Sequence, residues 1–212
     1  MANDQQSEHK YLNSKLDIND LNADPFVQFR YWFNGAMKAH PDDANTMVLA
    51  TADSGGKTSA RVVLLKGFDK EGFVFFTNYD SKKGRQIAVN PNAALVFFWN
   101  RLEKQVRIEG RVEKTSRKES DAYFRIRPEG SNISAIISPQ SQRIPDRDYL
   151  EHLKQDHLNS YRNKTLDRPE NWGGYRLVPD LFEFWQGREN RLHDRFEYTW
   201  TNGGWEIYRL AP

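Results

Sequence analysis

Residues Val106-Arg107-Ile108-Glu109-Gly110-Arg111-Val112-Glu113 alternate apolar or small side chains with charged ones without a break. A period of two is the signature of a β-strand with one face on a core, and a helix cannot satisfy it. Thr46–Ala52, Ala60–Phe68, Phe73–Asn78, Ala93–Trp99 and Gln105–Lys114 are short runs of the same kind, rich in Val, Ile, Phe and Thr. Asp53-Ser54-Gly55-Gly56 and Asp69-Lys70-Glu71-Gly72 punctuate them as turns. Tyr175–Phe184, Arg195–Trp200 and Trp205–Leu210 return to strand patterning near the C-terminus.

Helices interrupt this series. Asp24-Pro25 supplies a capping residue followed by proline, and Phe26, Phe29, Phe33 and Met37 then recur on one helical face that ends before Pro41. Ser81–Asn90 and Ser116–Ile126 each open on a capping serine, and Asp146–Asn163 forms another helical stretch. The expected class is mainly β with peripheral helices: an antiparallel barrel. Residues 24–212 are expected to form a single domain and residues 1–23 a mobile N-terminal segment.

Composition narrows the chemistry. The 212 residues include no cysteine, which excludes disulfides, a thiol nucleophile, thiolate metal sites and iron–sulfur clusters. Lys+Arg 31 against Asp+Glu 29 leaves a net charge of +2, too balanced for a typical nucleic-acid binder. No stretch approaches the length of an apolar membrane span, and residues 1–24 lack a basic segment followed by an apolar one. A cytoplasmic location is expected. Rings make up 13% of a chain whose mean hydropathy is -0.84, a combination that needs explaining.

Several apparent motifs fail. Gly56-Lys57-Thr58 looks like the end of a phosphate-binding loop, but Thr51 stands where a glycine is required, and a hairpin turn is the better reading. His152 and His157 are not at the i, i+4 spacing of a helical metal pair, and no metal site is expected.

What remains is a set of cations among strands and rings. Arg61 and Lys66 bracket an apolar strand and face opposite sides of the sheet. Ser81-Lys82-Lys83 opens a helix, where lysines oppose the dipole unless an anion arrives; a solvated turn is the alternative reading. Tyr123, Arg127 and Ser131 span a helix end and a loop broken by Pro128-Glu129-Gly130, and form a candidate second anion pocket. Arg191, His193 and Arg195 fall on one face of an alternating strand; a salt-bridged surface strand with Asp194 and Glu197 is the rival reading. Two anion pockets, aromatic surfaces and no protein nucleophile point to a phosphorylated ring cofactor and a phosphorylated substrate.

In order along the chain, Arg61–Lys66, Thr77 with Ser81-Lys82-Lys83, Gln105, Tyr123 with Arg127-Pro128 and Ser131, Gln140-Ser141, Phe184-Trp185-Gln186-Gly187, Arg191–Arg195 and Arg209-Leu210-Ala211-Pro212 together resemble the pyridoxamine 5'-phosphate oxidase family. The resemblance runs from about Asp24 to Pro212 and implies an FMN-binding split β-barrel that works as a homodimer, with a C-terminal dimerisation region. It implies that Arg61 and Lys83 bind the FMN phosphate, assisted by Lys82, Gln140 and Ser141. Val62, Val63, Leu64, Leu65 and Lys66, with Phe76 and Thr77, would line the flavin, and Gln105, Trp185 and Arg195 would address its ring. Lys66, Tyr123, Arg127 and Ser131 would hold the substrate phosphate. Arg191, Leu192 and His193 would bind the substrate ring, with Arg191 and His193 as the catalytic pair and Tyr11 contributed by the N-terminal segment.

The implied activity is that of a pyridoxal 5'-phosphate synthase: pyridoxamine or pyridoxine 5'-phosphate is oxidised to pyridoxal 5'-phosphate and dioxygen is reduced to hydrogen peroxide. The family often carries an arginine pair just before the N-terminal tyrosine, where this chain has Glu8-His9-Lys10-Tyr11. Two rivals remain: a phenazine-type oxidase on the same barrel, expected to lose the substrate-phosphate set, and a non-catalytic protein that binds flavin or pyridoxal phosphate.

Overall fold

The computed structural model describes residues 14–39, 41–160 and 166–212; Tyr11 and the last residues of the expected helix over 146–163 lie outside them. Five α-helices and nine strands are found among the described residues: α1 (Pro25–Ala39), β1 (Thr46–Ala52), β2 (Thr58–Leu64), β3 (Gly67–Asp69), β4 (Gly72–Asn78), α2 (Lys82–Val89), β5 (Asn92–Trp99), β6 (Lys104–Lys114), α3 (Arg117–Ile126), α4 (Glu129–Ile137), α5 (Asp148–Ser160), β7 (Trp172–Gln186), β8 (Asp194–Thr201) and β9 (Gly204–Leu210). The strands follow the order β2-β1-β5-β6-β7-β4-β3, with β8 paired to β7 and β9 to β8. The class is mainly antiparallel β with helices, as expected.

The chain groups into two compact units. The first comprises the described residues of Met1–Met47 with Leu95–Glu109 and Asp180–Pro212, and its core is aromatic. Asp24 accepts a hydrogen bond from the Phe26 backbone N–H, starting α1 at Pro25. That helix buries Phe29, Trp32 and Ala36, while Met37, expected on the same face, is 42% exposed. The buried stripe is therefore centred on Phe29 and Trp32. The Phe29 ring meets Phe97 at 5.1 Å, and Trp32 meets Phe184 edge-on at 5.2 Å. Trp99 Nε1 donates to the Ala44 carbonyl, and the Tyr198 hydroxyl donates to that of Asn22, so the polar edges of these rings are satisfied inside. This is where many of the rings of a polar chain are spent.

The second unit comprises Val48–Ala94 and Gly110–Pro179. In the β1–β2 hairpin, Asp53 accepts from the Gly55 and Lys57 N–H groups and Gly56 adopts φ 80, a left-handed backbone that glycine takes without strain. β4 pairs with β7 from Phe73↔Leu177 to Asn78↔Trp172. Ser81 caps α2 by accepting from the Gly84 N–H, and Ser116 and Glu119 form a capping box on α3, as their positions predict.

One expected strand is two. Ala60–Phe68 breaks at Leu65-Lys66: β2 pairs with β1, whereas β3 pairs with β4. Leu65 is buried at the corner and the Lys66 N–H donates to the Val74 carbonyl. Arg61 and Lys66 are thus not two ends of one strand. No helix among the described residues is long and apolar enough to cross a membrane.

Candidate active site

Lys83 stands in the first turn of α2, with Thr77 at the end of β4 beside it. Its Nζ donates to Gln140 Oε1 at 2.8 Å, Thr77 Oγ1 at 3.1 Å and Ser81 Oγ at 3.4 Å. Arg61, on β2, donates through Nη1 to Thr51 Oγ1 at 2.6 Å and to the Leu49 carbonyl at 3.0 Å. Gln86 lies within 3.5 Å of Arg61 Nη2 and braces Thr51. Burial, and after it the charge of Arg61, lowers the Lys83 pKa to about 8; burial also lowers that of Arg61. Among the described residues no carboxylate pairs with either cation. Two half-buried cations that hydrogen-bond only to neutral groups and repel one another form a place for an anion. Lys82, one residue earlier, points outward and is exposed.

Next to this cluster lies a cavity of about 610 Å³ lined by Arg127, Ser131, Ser134, Ser138, Gln140 and Trp172, among others. The Arg127 guanidinium lies over the Trp172 ring at 4.3 Å and donates through Nη2 to the Ser131 carbonyl, while its buried Nη1 has no partner among the described residues. Burial lowers its pKa. Tyr123 stacks on Phe76 with ring centroids 3.9 Å apart, and both rings run nearly parallel to Trp172. Ser131 is in a helix and not in a loop. α4 starts immediately after Pro128, whose carbonyl accepts from the N–H groups of Ser131 and Asn132. Gln140 connects the two cation sets, because it lines the cavity and holds Lys83. Ser141 follows with φ 69. Lys66 is exposed and does not line the cavity, and neither do Val62, Val63 and Leu64, which follow Arg61 along β2.

In the first unit, Trp185 on β7 stands opposite Arg195 on β8, and its ring meets His193 at 4.6 Å. His193 Nδ1 accepts from the Arg188 N–H at 3.0 Å. Burial, then the charges of Arg191 and Arg195, lower the His193 pKa. Arg191, His193 and Arg195 do not share a strand face as expected. β8 begins only at Asp194, and Glu189–Arg191 is a 3-10 turn in which Asn190 and Arg191 take φ 56 and 59. The Arg188–His193 hydrogen bond closes this loop, whose backbone lies in a region that non-glycine residues enter at a cost. Arg191 and Leu192 are exposed on it. Asp194 anchors its end by accepting from Arg209 at 2.9 Å and from the Leu16 N–H at 3.2 Å.

Gln105 lies on the face of β6 that also carries Arg107 and Glu109. Arg107 reaches Glu183 at 3.0 Å, and Glu183 receives the Arg195 Nε–H at 2.8 Å. Glu183 is absent from the sequence-based expectations. Its only signal there is an acid inside the aromatic run Phe182-Glu183-Phe184-Trp185.

Residues 33–152 match the family described as "Pyridoxamine 5'-phosphate oxidase", and residues 172–212 match "Pyridoxine 5'-phosphate oxidase C-terminal dimerisation region". The pyridoxine/pyridoxamine 5'-phosphate oxidase of Burkholderia thailandensis is 54% identical over 205 residues, which is 95% of this chain and 95% of that protein. Its namesake in Burkholderia pseudomallei is 54% identical over the same share of each chain. Among solved structures, PhzG from Burkholderia lata in complex with tetrahydrophenazine-1-carboxylic acid aligns with a TM-score of 0.86 at 29% identity, covering 92% of this chain and 95% of that one. An FMN binding, pyridoxamine 5'-phosphate oxidase-related protein from Nostoc punctiforme aligns with a TM-score of 0.70 at 16% identity, covering 91% and 100%, a likeness of fold. The fold is the split β-barrel expected from the sequence.

Proposed function

Because the chain belongs to the pyridoxamine 5'-phosphate oxidase family, we propose that it oxidises pyridoxamine 5'-phosphate and pyridoxine 5'-phosphate to pyridoxal 5'-phosphate. The alcohol reaction consumes dioxygen and yields hydrogen peroxide; the amine reaction also consumes water and releases ammonia. The observation that carries this reading is the pair of cation sets that have no carboxylate partner among the described residues, joined by Gln140. A phosphate ester carries close to two negative charges at neutral pH, and each set fits one.

Arg61 and Lys83, with Thr77, Gln140 and Ser141, would hold the FMN phosphate, and Lys82 would add charge at the rim. The segment from Val62 to Lys66, with Phe76, would line the flavin. FMN, when bound, supplies the two-electron oxidation and passes the electrons to dioxygen. Arg127 and Ser131 would clamp the substrate phosphate, the buried Arg127 Nη1 gaining the acceptor it lacks. Lys66 and Tyr123 would complete that set. Arg191 and His193, with Leu192, would orient the substrate ring from their strained loop, and a neutral His193 would present Nε2–H as a donor, since Nδ1 already accepts. Gln105, Trp185 and Arg195 would address the flavin ring, and Tyr11 would contribute from the N-terminal segment.

With that activity go a cytoplasmic location and a homodimer. The latter is supported by the match to a dimerisation region and by Trp200 and Tyr208 within it, 49% and 50% exposed. Purified protein should be yellow, should release FMN on denaturation, and should convert pyridoxamine 5'-phosphate and oxygen to aldehyde and peroxide. A colourless protein that FMN cannot reconstitute would overturn the reading. The alignment with PhzG favours one alternative, oxidation of a reduced phenazine carboxylic acid. Turnover of that compound, with none of either vitamin B6 phosphate, would decide for it.

A further inference from the structure

Glu183 is 2% exposed, yet it carries a carboxylate on β7 between two buried phenylalanines. Removing a carboxylate from water costs several kcal/mol, and an apolar residue of similar volume would often serve stability equally well. The ion pairs around it are unequal. Arg107 has a second carboxylate, Glu109 at 3.0 Å, and its 3.0 Å contact with Glu183 is an ion pair in which Glu183 Oε2 accepts no hydrogen bond. Arg195 has no comparable substitute: its Nε donates to Glu183 at 2.8 Å, and its Nη1 to the Ala211 carbonyl at 2.8 Å. Those two bonds fix the plane and rotation of the guanidinium. Among the described residues no acceptor meets its Nη2.

The strand geometry gives this fixed cation a direction. Trp185 and Arg195 are opposite one another in the β7–β8 register, as are Glu183 and Glu197. Opposed residues share a sheet face, so Glu183, Trp185 and Arg195 lie together. The Arg107 contact brings the Gln105 side of β6 to the same face. These are the residues that the proposed function assigns to the flavin ring, so any role of Glu183 toward that ring rests on the same reading.

We infer that Glu183 is a positioning residue. It holds Arg195 with its Nη2 edge presented to the flavin and offsets part of the guanidinium charge. Without the carboxylate, Arg195 would swing among rotamers, with only the charge of Glu197, which makes no hydrogen bond to it, left to offset its own. The first change weakens flavin binding. The second favours the reduced flavin, on which negative charge accumulates.

The test uses four proteins stripped of FMN and reconstituted: wild type, E183Q, R195A and the double variant. E183Q preserves shape and removes charge. It is expected to bind FMN roughly tenfold more weakly, the scale of one lost charge-assisted hydrogen bond. It is also expected to raise the midpoint potential of the bound flavin. In the R195A background the same substitution should change neither quantity, because the intermediary is gone. If E183Q does not fold, E183D retains the charge but withdraws it, and should weaken FMN binding only when Arg195 is present. An E183Q protein with wild-type affinity and potential would overturn the inference. So would an effect of equal size in the R195A background, which is the behaviour of a merely structural residue. Failure of the wild type to take up FMN would overturn the proposed function, and the role of Glu183 with it.

Discussion

Arg61 and Lys83 hold two cations near one another with no carboxylate among the described residues to pair them, and burial together with their mutual repulsion lowers the Lys83 pKa from 10.5 to about 8. The ligand-free fold therefore carries a built-in electrostatic penalty. Between about pH 8 and pH 10.5 the unfolded chain keeps a proton on Lys83 that the folded chain has lost. Stability rises with pH wherever the unfolded state binds more protons, so the ligand-free protein should gain stability across that window. Phosphate binding should move the other way and weaken as pH rises above about 8, because the ammonium discharges. Urea titrations of wild type and K83M at several pH values test the first trend, and FMN fluorescence quenching tests the second. Identical pH slopes for the two proteins would refute the assignment.

Arg127 differs from Lys83 in being a fork laid over a ring. Its contact with Trp172 at 4.3 Å and its unpartnered Nη1 suit a planar, bidentate grip on a phosphate. R127K keeps the charge and loses both features. It should raise the KM for pyridoxamine 5'-phosphate by about 10- to 100-fold while leaving FMN affinity within about twofold. Steady-state kinetics with oxygen consumption, alongside a flavin titration, separate the two effects. A loss of FMN instead would place Arg127 in the wrong phosphate set.

Much of this arrangement is legible from residue order, and the exceptions have identifiable physical causes. The alternation around Ile108 and the capping serines Ser81 and Ser116 predict local structure because one period or one hydrogen bond decides each. The break at Leu65-Lys66 does not show, because its two halves remain extended and only their partners change. The helix after Pro128 is hidden by a Pro-Glu-Gly sequence that reads as a turn until the Pro128 carbonyl receives two N–H groups. Asn190 tolerates left-handed backbone, but Arg191 gives no warning of it, and the Arg188–His193 hydrogen bond that closes the loop has no local signature. Glu183 is invisible because a buried acid and an exposed one are the same letter. Gln140 approaches Lys83 from 57 residues away, a contact no local pattern encodes.

Gly84 shows how tightly the N-terminal end of α2 is held. A β-carbon there would stand 2.1 Å from the Tyr79 carbonyl oxygen and 2.5 Å from its carbon, both backbone atoms that cannot rotate aside. G84A should destabilise the protein by about 1–3 kcal/mol, and it should weaken FMN binding because Lys83 moves with the displaced turn. Gly130 is the control, since on α4 a β-carbon meets nothing within 4 Å. G130A should be neutral or stabilising by up to ~1 kcal/mol, the helix-propensity gain. Thermal melts of ligand-free protein check both, at roughly 2–4 °C per kcal/mol for a chain of this size. Equal melting temperatures for the two variants would contradict the packing argument.

His193 should be neutral at pH 7, with its proton on Nε2. Nδ1 accepts the Arg188 N–H, and a doubly protonated ring would lose that bond. Burial and the charges of Arg191 and Arg195 both disfavour the cation, so the pKa lies below its ordinary value of 6.5. A depressed histidine contributes stability above its unfolded pKa and loses it as pH falls through the folded one. Acidification should therefore open the Arg188–His193 loop and lower kcat/KM for pyridoxamine 5'-phosphate, with the fall beginning below pH 6.5. H193N provides the sharper comparison. Its amide oxygen can still accept from Arg188, so the loop should close, yet the acid limb should vanish because nothing there titrates. Ring nitrogen chemical shifts of the wild type, read by NMR across the same pH range, report the tautomer directly. Two protonated ring nitrogens at pH 7 would overturn the assignment.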